Sequence, residues 1–139
     1  MRYVRAETIH ASAERVWQLL VDVEGWPSWS ESMREITRLD DGPFAVGSRS
    51  RVTQPTGRPM EWTVTELEPL RNFTWTAGQP GMSFVAVHRI QDEGNHLRAE
   101  LEFLVSGAMA WLARLIAGPR IRKYLDMEIT GLKRAAENG

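Results

Sequence analysis

At 139 residues, 42% hydrophobic and 25% charged, the chain has the size and composition of one globular domain with a sizeable core. Seventeen Lys and Arg against 18 Asp and Glu leave a net charge of −1, with no basic excess to draw nucleic acid or an anionic membrane. The lack of cysteine excludes disulfides, thiol nucleophiles and cysteine metal sites.

The N-terminus, Met1 to Glu7, is charged and has no signal-peptide core, and no apolar run approaches the roughly 20 residues of a membrane span. The expectation is a soluble cytoplasmic protein without stable membrane insertion. Residues Tyr3 to His10 alternate as a strand. Ser12 then reads as an N-cap, with Glu14 in the first turn, and Val16, Leu19, Leu20 and Val23 recur at helical spacing. A short helix over 13–21 follows. In Gly25-Trp26-Pro27-Ser28-Trp29 the two indoles lie three residues apart, and Pro27 is placed to open a second short helix.

Strand patterns follow at 33–39, 48–54, 60–67, 72–77, 82–90 and 97–105, separated by Gly- and Pro-rich turns. Met60, Trp62 and Val64 share one face, as do Phe73, Trp75 and Ala77, then Met82, Phe84, Ala86, His88 and Ile90. In the last strand Leu97, Ala99, Leu101 and Phe103 face one way, and Arg98, Glu100 and Glu102 make the wet face. After Ser106-Gly107 the period turns helical to the end. Met109, Leu112, Ala113 and Ile116 form one stripe, and Ile121, Leu125, Ile129 and Leu132 another. Gly118-Pro119 between them predicts a kinked or broken helix.

The order predicts one α+β domain over residues 1–139. Its curved antiparallel sheet of about seven strands wraps a long C-terminal helix, with two short helices after the first strand. One helix cannot fill a curled sheet evenly along its length, so an apolar, ligand-sized pocket is expected between them.

Residues across the chain carry a resemblance to a known group. They are Ala13-Glu14-Arg15-Val16-Trp17, Trp26-Pro27-Ser28-Trp29, Val46-Gly47-Ser48, Trp62 to Pro69, Phe73-Thr74-Trp75, Tyr124-Leu125 and Gly131-Leu132-Lys133. On these the sequence resembles the START-like helix-grip (SRPBCC) superfamily, within it the bacterial polyketide cyclase/dehydrase-like branch. The resemblance implies a helix-grip fold and a hydrophobic ligand, whether aromatic, polyketide-like or lipid. It also implies that the loops Pro55–Pro59 and Gly78–Gly81, at one end of the sheet, flank a gated mouth. It does not fix the chemistry, because members bind, carry or transform very different molecules.

His88, on the inner face, is the candidate catalytic residue, as proton donor or acceptor for a bound carbonyl or phenol. The competing reading is a half-buried histidine hydrogen-bonded to backbone near a sheet edge. Trp26, Trp29, Trp62 and Trp75 are candidate aromatic walls, or plain core. Met60, Phe73, Phe84, Phe103, Leu112 and Ile116 are candidate lining residues. Gln54 and Tyr124, with Ser50, complete a thin polar inventory, while Arg49 and Arg51 should be solvated. The three histidines have no metal-ligand spacing, and no cofactor motif, nucleophile elbow or carboxylate pair is evident. Three functions stay open: a cyclase/dehydratase using His88, a non-catalytic carrier of a small hydrophobic molecule or lipid, and a protein-interaction module. A homodimer is compatible with each.

Overall fold

The structure is a computed structural model and describes residues 1–138. Strand β1 (Arg2–Ile9) leads to helix α1 (Ala13–Val21) and a 3₁₀ turn, Val23–Ser28. The strands β2 (Glu35–Arg38), β3 (Arg49–Thr53), β4 (Met60–Glu68), β5 (Asn72–Gln79), β6 (Met82–Asp92) and β7 (Leu97–Ser106) follow, and helix α2 (Ala110–Asn138) closes the chain. The seven strands form one antiparallel sheet in the order β1-β7-β6-β5-β4-β3-β2. This is the α+β helix-grip architecture that the alternation and the terminal helical run predict.

Local chemistry explains most element ends. The Ser12 hydroxyl accepts from the Arg15 N–H at 3.1 Å, capping α1. Met60–Trp62–Val64 and Phe73–Trp75–Ala77 turn their side chains to the concave face, where they meet Val16, Leu20 and Trp26 from the short helices. A register shift between Val64 and Glu66 leaves Thr65 without a partner across β5. Such a bulge bends the strand and adds to the curl of the sheet.

Three expectations need correction. Pro27 does not open the second helix but sits near the end of the 3₁₀ turn, where its missing N–H is tolerated; the Trp26 carbonyl then accepts from Trp29 and Ser30. Of the kink or break expected at Gly118-Pro119, the break is absent: α2 runs 29 residues as one helix. Pro119 has no N–H for the Leu115 carbonyl, and Leu115 is solvent-facing, so water can satisfy that group. Glu102, assigned to the wet face of β7, is buried because Arg2 and Arg89 cover it; Arg89 Nη2 donates to its carboxylate at 2.8 Å.

The grip of the helix on the fold is tightest at Gly131. A Cβ there would lie 1.9 Å from the Trp29 carbonyl oxygen, so only glycine lets α2 touch this backbone. At its other end α2 is tied to the β5–β6 turn. Gly107, at φ +107°, lies against the Gly81 carbonyl, which accepts from the Met109 N–H at 2.9 Å. Among the described residues no helix is long and apolar enough to cross a membrane.

Candidate functional site

Between the concave face and α2 lies a cavity of about 990 Å³. Trp62 and Trp75 come from β4 and β5, Phe84 and Phe103 from β6 and β7, and Trp26 from the 3₁₀ turn. Leu112, Ile116, Ile121 and Leu125 of α2 form the facing wall. At one end the β3–β4 loop (Thr56–Pro59) and the last residues of β5 before the β5–β6 turn (Gly78, Gln79) border it together, as two alternate connections of a meander must. Gln54, Met60 and Tyr124 stand at this end, and the Tyr124 hydroxyl lies 3.1 Å from that of Thr56, linking α2 to the loop.

Three of the residues singled out from sequence, Phe73, Trp29 and Ser50, are not in the cavity wall. Phe73 lies one strand position pair deeper than Trp75, fully buried, with its ring stacked on His88 at 4.1 Å. Trp29 packs behind Trp26, at 5.5 Å, and its backbone meets Gly131. Period two gives the face of a strand but not the depth along it, and at the closed end Trp26 fills the space. Trp26 is itself wholly buried, and its indole N–H donates to the Leu20 carbonyl at 3.1 Å, so that donor is already committed. Ser50 faces inward but lies away from the cavity, and its hydroxyl has no hydrogen-bond partner among the described residues.

His88 is at the closed end of the cavity and is 2% exposed. Its Nδ1 lies 3.1 Å from the Phe73 carbonyl oxygen. A carbonyl only accepts, so Nδ1 carries the proton and Nε2 presents a lone pair. Trp26 also packs against the ring, edge-on at 5.3 Å. Burial pulls the His88 imidazole down to about 4, against the opposing effect of the Phe73 carbonyl, which favours the charged form.

Sequence reasoning missed the group that faces it. Glu128 of α2 is 7% exposed, borders the cavity, and places Oε1 4.0 Å from His88 Nε2. Burial pushes its carboxyl up to about 8. The shifts run opposite to those of an ion pair, so at neutral pH a neutral acid faces a neutral imidazole. The signal was present in the sequence: Glu128 stands three residues after Leu125 and four before Leu132, on the apolar stripe of the helix. An acid on that stripe must be buried.

Solved structures of the same shape come from several organisms. A hypothetical protein from Helicobacter pylori superposes with a TM-score of 0.83 at 14% identity, over 98% of this chain and 88% of that one. A Thermus thermophilus protein gives 0.77 at 16% identity, over 98% and 97%. The Aha1 dimer from Colwellia psychrerythraea, solved in solution, gives 0.74 at 18% identity, over 99% and 96%. At such identities the likeness establishes the fold alone. No curated protein sequence matches the chain. Residues 1–137, however, match the family described as polyketide cyclase / dehydrase and lipid transport, and the chain belongs to that family.

Proposed function

We propose that this protein binds one small hydrophobic molecule, aromatic, polyketide-like or lipid, in its internal cavity. The observation that supports this reading is the wall: five aromatic side chains and the apolar face of α2 border a cavity of about 990 Å³, the size range of small-molecule sites. A core that existed only for stability would fill that space, because interiors pack to crystal-like density. The test is native mass spectrometry of freshly purified protein, together with titration of the neutral fluorophore N-phenyl-1-naphthylamine. A stoichiometric adduct or saturable fluorescence supports the reading. A protein that shows neither is not a hydrophobic-ligand binder, and a protein-interaction role takes its place.

A second reading, polyketide cyclisation or dehydration with His88 as proton acceptor, is favoured by one observation. The Nε2 lone pair faces the cavity while Nδ1 is held by the Phe73 carbonyl. On this reading the aromatic wall shapes a reactive chain, and catalysis is mainly positioning. His88→Ala then abolishes turnover of a polyketide thioester while the fluorophore still binds. Retained turnover removes His88 from the chemistry, and a non-catalytic carrier is then the better description.

A further inference from the structure

The closed end of the cavity is chemically unlike its walls. His88 Nε2 and the Glu128 carboxyl are two polar groups of buried residues that make no hydrogen bond on their cavity side among the described residues. Neither can satisfy the other: 4.0 Å is beyond hydrogen-bond distance. The separation does suit a single oxygen placed between them. An atom about 2.8 Å from each of two groups 4.0 Å apart subtends about 90°, an angle that a two-coordinate hydroxyl oxygen tolerates.

We propose that His88 and Glu128 together form a recognition site for one hydroxyl group, alcohol or phenol, on the hydrophobic ligand. The ligand O–H donates to His88 Nε2, and the ligand oxygen accepts from the protonated Glu128 carboxyl. The inference rests on the cavity being a ligand site and adds the polar feature of that ligand. Three alternatives fit worse. A carbonyl oxygen would accept from Glu128 but face the His88 lone pair with a lone pair of its own. A carboxylate would bring a charge into a buried site and set a third acceptor against the His88 lone pair. A hydrocarbon would leave both groups unsatisfied, which is costly when they are buried. The Phe73 carbonyl fixes the tautomer that makes Nε2 an acceptor, and burial keeps Glu128 protonated at neutral pH.

The experiment compares 2-naphthol with naphthalene, which is smaller, and 2-methoxynaphthalene, which is larger, by displacement of N-phenyl-1-naphthylamine at pH 7. The wild-type protein is expected to bind 2-naphthol about tenfold or more tightly than either, the worth of well-placed buried hydrogen bonds. In Glu128→Met that preference falls to within about twofold, with the fluorophore still bound. Should Glu128→Met fail to fold, ¹⁵N NMR of the wild-type histidine serves instead. Added 2-naphthol should move the His88 Nε2 resonance and leave Nδ1 bonded as before, and the methyl ether should not. Equal affinity for the three naphthalenes, with the fluorophore bound, overturns the hydroxyl site and leaves the cavity reading intact. A protein that binds neither fluorophore nor any naphthalene overturns both.

Discussion

The two halves of α2 are built from the same kinds of residue and live in different surroundings. In the second half Leu125, Ile129, Leu132 and Ala136 are all buried, and Leu132 is fully so. In the first half Trp111, Leu115 and Ile116 are 62%, 74% and 69% exposed. Helical periodicity does not distinguish these halves; what lies opposite them does. The second half packs against β1, β7 and α1, whereas the first spans the open side of the cavity, where there is little to bury against. The helix is therefore an anchor at one end and a wall at the other, and its first half contributes far less to stability than its apolar content implies.

That contrast can be broken most sharply at the anchor. Gly131→Val should destabilise the protein by about 3 kcal/mol or more in urea unfolding, because the added carbons collide with the Trp29 backbone rather than with a movable side chain. Leu132→Ala should cost about 2–5 kcal/mol by loss of buried methyls and the cavity left behind. Leu115→Ala, the same kind of truncation on the exposed half, should stay within about 0.5 kcal/mol. Equal losses at residues 115 and 132 would remove the distinction.

Glu128 lies on the anchor side of the border, and pH probes it. Its folded pKa is raised to about 8, so the native state holds a proton that the unfolded chain releases, and this contribution to stability falls as pH climbs from about 4.5 towards 8. His88, lowered to about 4, acts in the opposite sense between about 4 and 6.5, where the unfolded chain binds the proton instead. The two slopes offset each other below about pH 6.5, and above it only the Glu128 loss remains, on the order of 2 kcal/mol by pH 8. Urea midpoints measured across that window should fall for the wild type and stay level for Glu128→Gln. A small, local effect is expected at the wall. Tyr124→Phe removes the hydroxyl facing Thr56 and should cost about 0.5–1 kcal/mol or less, with faster amide exchange confined to the 55–59 loop.

How much was legible in the sequence follows the same division. Strands and their inward faces could be read because alternation is enforced wherever one side of a sheet is buried, and Trp62, Trp75, Phe84 and Phe103 stand in the wall accordingly. Trp29 and Phe73 were misplaced because depth along the cavity depends on what fills its closed end, here Trp26, and no local pattern encodes that. Glu128 could have been found from its position on the apolar stripe. What no sequence pattern supplies is that its carboxyl meets His88, forty residues away on β6.

Pro119 stands near the border between anchor and wall, and this gives the helix a seam. The turn around it lacks one of the N–H donors that would otherwise hold it to the preceding turn. Unwinding that starts at Ala110 and proceeds toward the seam disrupts one hydrogen bond fewer than in an uninterrupted helix, and it exposes few new apolar side chains because several are already in water. Beyond the seam each further turn would have to pull Leu125, Ile129 and Leu132 out of the core. The helix is thus a graded spring clamped at its far end: compliant for its first turns, and stiff from Leu125 onward.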